Sequence, residues 1–240
     1  MIYEEAVTVP FFLGTKTGNL SLATLTNIML LTSEHQLDRL DAGIAALAKH
    51  GAGWVITQYH IAITRMPKVE EPLVVGTEAS GYNKLMTYRE YWVKDPAGNT
   101  LATMSGAWVM MDLTTRKLIP IIESFAAKVE APKTTKVRRY PRLPKLTDFA
   151  HRQPYTVRYF DIDGNGHVNN THYMEWMEDA LGADFLTHHR LTGVDIKFAR
   201  EVTYGSTVES AYTIDGTASH HQISVAGADN ATATMTWETI

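Results

Sequence analysis

Tyr155-Thr156-Val157-Arg158-Tyr159-Phe160-Asp161-Ile162-Asp163-Gly164-Asn165-Gly166-His167-Val168-Asn169-Asn170 is the stretch on which the fold turns. Residues 155–160 are β-branched and aromatic, as a strand requires. A loop rich in Gly, Asn and Asp follows. From about residue 169 to 186, Tyr173, Trp176, Met177, Ala180 and Leu181 recur at helical spacing. Strands are expected after that helix at about 194–202, 207–214, 221–226 and 231–237.

Earlier in the chain the same order appears. A strand at 6–9 precedes a Gly/Thr loop that runs through Gly18, and a helix begins after Asn19, a candidate N-cap. Leu22, Leu25 and Met29 form its apolar stripe. Leu37, Leu40, Ile44 and Leu47 continue a second stripe, which Lys49-His50-Gly51 ends. Val55, Thr57, Tyr59, Ile61 and Ile63 then alternate up to Pro67, and β-rich stretches follow at 73–80, 85–94 and 101–111. Asp95-Pro96-Ala97-Gly98-Asn99 reads as a hairpin turn. Thr8-Val9-Pro10-Phe11-Phe12 stands opposite the strand at 155–160, so each half reads β, α, then several β. A long helix wrapped by an antiparallel meander is the hot-dog arrangement. The expectation is an α+β chain of two tandem hot-dog domains, 1–125 and 154–240. Between them, 126–153 is a basic linker with Pro132, Pro141 and Pro144 inside it and Pro154 at its edge.

Composition narrows the function classes. The chain has 240 residues, 45% hydrophobic and 20% charged, which suits an ordinary globular protein. No apolar run approaches the ~20 residues of a membrane span, and Met1-Ile2-Tyr3-Glu4-Glu5 does not read as a signal peptide. The absence of cysteine excludes disulfides, thiolate metal sites and a cysteine nucleophile. A formal net charge of −4 argues against nucleic acid. The expected location is the cytoplasm, with no membrane partner.

The two halves differ where chemistry would sit. Gly14-Thr15-Lys16-Thr17-Gly18-Asn19 holds no carboxylate and no histidine. Its counterpart, from Asp161 to Asn170, packs two carboxylates, three amides and an imidazole ahead of a helix. Gly164 and Gly166 allow positive φ and close approach of a ligand. N–H groups at the helix start favour a developing negative charge. Two other readings stay open for this segment: a plain turn with an N-cap, and a calcium loop. Asp161, Asp163, Asn165, Gly166 and Val168 fit positions 1, 3, 5, 6 and 8 of an EF-hand, but His172 replaces the bidentate Glu and the preceding segment reads as strand. His60, His172, His188-His189 and His220-His221 lack metal-site spacing. Ser206 lacks a nucleophile elbow. The five tryptophans read as core, with the lining of a ligand tunnel as the alternative.

Asp163-x-Asn165-x-His167-Val168-Asn169-Asn170, followed by Tyr173 and Trp176, resembles the active-site signature of the acyl-acyl carrier protein thioesterase family. Trp54-Val55, Arg65-x-Pro67, Arg89, Trp108-Val109-Met110-Met111-Asp112 and Thr115-Arg116-Lys117-Leu118 extend the likeness over most of the chain. Downstream, Arg200-Glu201-Val202 matches an Arg-Glu-Cys string without its cysteine. The resemblance therefore implies attack by water assisted by a carboxylate, not a Cys–His–Asn triad.

It implies hydrolysis of fatty-acyl thioesters on acyl carrier protein, with Asp163, Asn165, His167 and Glu201 catalytic and Glu201 the preferred base. Asn169 and Asn170 would contact substrate, and Leu25 and Met29 would shape an acyl slot. No cofactor or metal is expected. The partner is a carrier protein bearing a phosphopantetheine-linked acyl chain, which the cluster from Lys133 to Lys145 could steer; a homodimer is allowed. The alternatives are an acyl-CoA thioesterase, a hot-dog β-hydroxyacyl dehydratase and a non-catalytic acyl-binding protein.

Overall fold

A computed structural model describes residues 1–240. The first half runs β1 (Ile2–Thr8), α1 (Leu22–Arg39), α2 (Ile44–Ala48), β2 (Ala52–Ile63), β3 (Pro72–Tyr82), β4 (Met86–Lys94), β5 (Thr100–Asp112), β6 (Leu118–Ile119) and α3 (Glu123–Lys128). The second runs β7 (His151–Thr156), α4 (Asn170–His188), β8 (His189–Phe198), β9 (Thr207–Asp215), β10 (Ala218–Val225) and β11 (Ala228–Thr239). All eleven strands join one sheet in the order β1-β3-β4-β5-β2-β8-β11-β10-β9-β7, with β6 alongside β5. Every pairing is antiparallel. The halves meet where β2 pairs β8, with Tyr59 opposite Ile196 and Ile61 opposite Val194. The α+β class therefore holds, as one large sheet with few helices, none long and apolar enough to cross a membrane.

One core of 33 buried residues takes side chains from both halves, including Leu25, Met29, Met174 and Met177. α1 touches α4 directly, and Thr26 Oγ1 donates to Met174 Sδ at 3.7 Å. Burying each such side chain contributes about 1.5–3 kcal/mol. Leu47, Tyr82, Met110 and Phe125 belong to a smaller cluster beneath α2 and α3.

The internal repeat is sharper in backbone geometry than in sequence. Thr15 N–H donates to Asn19 O at 2.8 Å and Gly18 N–H to Thr15 O at 3.0 Å; Asp163 N–H donates to His167 O at 2.9 Å and Gly166 N–H to Asp163 O at 3.0 Å. Gly18 and Gly166 take φ of +75° and +81° at equivalent places. Asp163 thus stands where Thr15 stands, and His167 where Asn19 stands.

Several boundaries differ from the sequence reading. The strand at 155–160 ends at Thr156, and Tyr159–Asp161 forms a 3-10 turn. Asp161 causes the bend: its carboxylate accepts the Arg158 N–H at 2.8 Å and the guanidinium at 2.7 Å. The cap of α1 is Ser21, whose Oγ accepts the Thr24 N–H at 3.0 Å; Asn19 instead closes the loop before it. The stripe from Leu37 to Leu47 is broken after Leu40, where Asp41 turns with φ +50° and α2 restarts at Ile44. The strand expected at 194–202 begins at His189 and stops at Phe198, because the Ala199 and Arg200 N–H groups turn to Asn230 O at 2.8 and 3.2 Å.

Between α3 and β7 no helix or strand of more than a single bridge forms. That stretch is pinned across β3, β4 and β5. Thr134 N–H donates to Tyr82 O at 2.8 Å, Arg138 donates to Ser105 Oγ at 2.7 Å and pairs with Glu90, and Tyr140 OH lies 3.2 Å from Ser105 Oγ. Arg138 and Lys133 (paired with Glu123 at 2.5 Å) are thereby tied down, leaving Lys136, Arg139, Arg142 and Lys145 without carboxylate partners.

Candidate active site

A cavity of about 1140 Å³ lies between the halves. One end is polar and holds Asp163, Asn165, His167, Asn169, Asn170 and Glu201; the remainder is mostly hydrophobic, with Leu30, Leu37, Trp54, Ile56, Trp108 and Phe125. The polar end reaches the surface, since Glu201 and Arg116 are each 39% exposed.

Each polar residue is placed by its local fold. Asn169 Oδ1 accepts from Thr171 N–H at 3.0 Å and so caps α4. Asn170 Nδ2 donates to the Tyr59 hydroxyl at 2.6 Å, tying the first turn of α4 to β2 of the other half. Tyr59 is fully buried, and that burial raises its hydroxyl pKa well above the ordinary value. Asp163 Oδ1 accepts the Asn165 N–H at 2.8 Å, and Oδ2 has only a 3.5 Å contact with Asn165 Nδ2. His167 Nε2 lies 3.2 Å from Glu201 Oε2, and both Glu201 oxygens also accept from Arg116. The four residues expected to be catalytic therefore share one cavity wall, and Asp163 and Glu201 differ in how fully their oxygens are occupied.

Asp161, the other carboxylate of the loop, is 1% exposed and does not line the cavity. Burial would raise its carboxyl, but hydrogen bonds from Arg158 outweigh this and hold it below the usual range. It shapes the loop.

Leu25 and Met29, expected to shape an acyl slot, lie away from this cavity. Both are fully buried in the shared core and do not line the cavity. The face of α1 that does so carries Asn27, Leu30, Leu31, Glu34 and Leu37. Among the tryptophans, Trp54 and Trp108 line the cavity, whereas Trp92 donates to Glu4 and Trp237 to Ser219. His60 pairs with Asp195 at 2.7 Å and His172 with Glu175 at 2.6 Å. No group of three or more His, Asp or Glu side chains is placed to hold a metal ion.

Sequence reasoning gave no role to three residues, of which Arg116 and Arg89 entered only through the family resemblance. Asn230 is 4% exposed and gave no signal. Arg89 lines the cavity although it is 8% exposed, and donates to Gln36 Oε1 at 2.6 Å and Thr77 Oγ1 at 3.1 Å; burial lowers its pKa.

Comparison with known proteins bears on this site. A family model described as the acyl-ACP thioesterase N-terminal domain matches residues 1–129, and one described as the C-terminal domain matches 145–239. A chloroplastic acyl-[acyl-carrier-protein] hydrolase of Cuphea viscosissima is 27% identical over 208 residues, covering 81% of this chain and 50% of the relative. A chloroplastic palmitoyl-acyl carrier protein thioesterase of Arabidopsis thaliana is 27% identical over 177 residues, covering 68% and 42%. The chain thus spans about half the length of the curated relatives it matches. A crystal structure from Lactobacillus plantarum, assigned as an oleoyl thioesterase, is 37% identical with a TM-score of 0.96, covering 100% of this chain and 97% of that one. The 12:0-ACP thioesterase of Umbellularia californica, 20% identical with a TM-score of 0.89 over 100% and 98% of the chains, shares the fold.

Proposed function

The chain belongs to the acyl-ACP thioesterase family, and from that premise we propose that it hydrolyses fatty-acyl thioesters on acyl carrier protein, releasing free fatty acid and holo carrier protein. The single observation that carries this reading is the cavity between the halves. A polar group at its solvent end adjoins an apolar interior, which is what a thioester with a long hydrocarbon tail requires.

In this reading each half is a hot-dog domain. Residues 1–125 bind the acyl chain, 154–240 carry the catalytic group, and 126–153 link them; the paired loops and the β2–β8 seam support this.

Water attacks the thioester carbonyl, a proton passes to a carboxylate, and collapse of the tetrahedral intermediate breaks the C–S bond and frees the pantetheine thiol. Asp163 is our choice of base. Its Oδ2 is nearly free to hold a water, whereas Glu201 already accepts from Arg116 on both oxygens and faces His167. This reverses the preference drawn from sequence. Glu201 orients His167, and Asn165, His167 and the first turn of α4 hold the carbonyl and its oxyanion.

The test is thiol release from acyl carrier protein thioesters of several chain lengths. Asp163→Asn should lower kcat by roughly 10²–10⁴ and Glu201→Gln by less. No release by the folded parent from any thioester defeats the hydrolase reading. An active Asp163→Asn variant beside a dead Glu201→Gln returns the base to Glu201.

A further inference from the structure

The first half supplies no carboxylate or imidazole to the polar loop, yet one of its side chains is bound to the group that would act there. Resting on the hydrolase reading, we propose that Arg116 is a positioning residue: from the opposite half it fixes the Glu201 carboxylate, and through it the His167 imidazole, at the cavity.

Both ends of the Arg116–Glu201 pair are held in place independently. Arg116 sits in the turn between β5 and β6 with φ +57°, a left-handed conformation that costs a non-glycine residue about 1–3 kcal/mol. Asp112 builds that turn. Its Oδ1 accepts the Thr114 N–H at 3.0 Å, the Thr115 N–H at 2.6 Å and the Thr115 hydroxyl at 2.9 Å, and its carbonyl accepts the Arg116 N–H at 2.9 Å. Across the cavity, Asn230 Nδ2 donates to Glu201 O at 3.1 Å while its own carbonyl holds the two preceding N–H groups. The Val168 N–H donates to Val202 O at 2.9 Å and locks this segment to the catalytic loop.

Stability does not account for such a turn. Ion pairs this exposed contribute about 0–1 kcal/mol, no more than the backbone conformation costs. What the turn accomplishes is orientation. Arg116 Nη2 donates to both carboxylate oxygens and so fixes the carboxylate, with Oε2 held 3.2 Å from His167 Nε2. Misplacing a catalytic group by about 1 Å can cost 10²-fold.

Arg116→Met and Arg116→Lys should therefore lower kcat by roughly 10- to 100-fold on both carrier-bound and small thioesters, with KM within about twofold. Lysine keeps the charge but carries it on a flexible stem, with no planar group to fix the direction of the carboxylate.

A double-mutant cycle decides whether the effect passes through Glu201. Arg116→Met added to Glu201→Gln should cost less than twofold more than Glu201→Gln alone. Full additivity, a rise in KM alone, or unchanged kcat in a folded Arg116→Met variant would overturn the proposal. Parental hydrolysis with any of these outcomes sinks only the role of Arg116, whereas an inactive parent sinks the hydrolase reading.

Discussion

On the proposed thioesterase reading, Leu30→Trp should shorten the preferred acyl chain, and Leu25→Trp should not. The two residues lie on one helix but on different faces. Leu30 lines the cavity, whereas Leu25 is 0% exposed in the core shared by both halves. An indole at position 30 has a void to fill. If it displaces the last two methylenes of a bound chain, the lost burial is about 1.6 kcal/mol at ~0.8 kcal/mol per methylene. That corresponds to roughly 15-fold in kcat/KM against the parent's best substrate, with little change for a chain two carbons shorter. At position 25 the same ring meets close-packed neighbours, and overpacking costs about 1–3 kcal/mol of stability without reshaping the slot. The assay is kcat/KM over a series of saturated acyl carrier protein thioesters, with melting temperatures of both variants. A shifted profile for Leu25→Trp beside an unchanged one for Leu30→Trp would refute the reasoning and return the slot to the buried stripe.

Charge reversal at Lys136, Arg139 and Arg142 should raise KM for carrier-bound substrate at low salt while sparing a small thioester; equal KM values for parent and variant remove the steering role. Arg138 is left out of that set because its pairing with Glu90 and its bonds to Ser80 and Ser105 hold its own segment to the sheet. His221 is 2% exposed with Nδ1 unpartnered, and burial, aided by the neighbouring His220, lowers its pKa to about 3. The unfolded chain binds this proton below about pH 6.5 and the folded chain does not, so stability falls as pH drops from about 6.5 toward 3. A His221→Leu variant should lose part of that slope in melting temperature against pH; coincident slopes would show that the ring takes up its proton without unfolding.

The sequence alone determined what local interactions determine. Alternation at β2, the stripe on α4 and the turn at 95–99 depend on near neighbours, so element order and the polar loop could be read directly. The loop was legible because Asp, Asn, Gly and His at its spacing are scarce outside turns and sites, and because its counterpart at Gly14–Asn19 lacks the acidic and imidazole groups. Asp161 and Asp163 were not separable by type. One bends the chain through Arg158 and the other faces the cavity, a difference set by the 3-10 turn.

Only the tertiary structure decided which apolar face met protein and which met a void. Leu25 and Leu30 are both leucines on an amphipathic helix, and periodicity marks apolar faces without saying what covers them. The second half's α4 closes over one face of α1, and the arrangement of β2, β5 and the 163–170 loop leaves the other open. Arg116 and Glu201 meet through the β2–β8 seam, 85 residues apart in the chain, and no local pattern encodes a contact that exists only once two halves have paired.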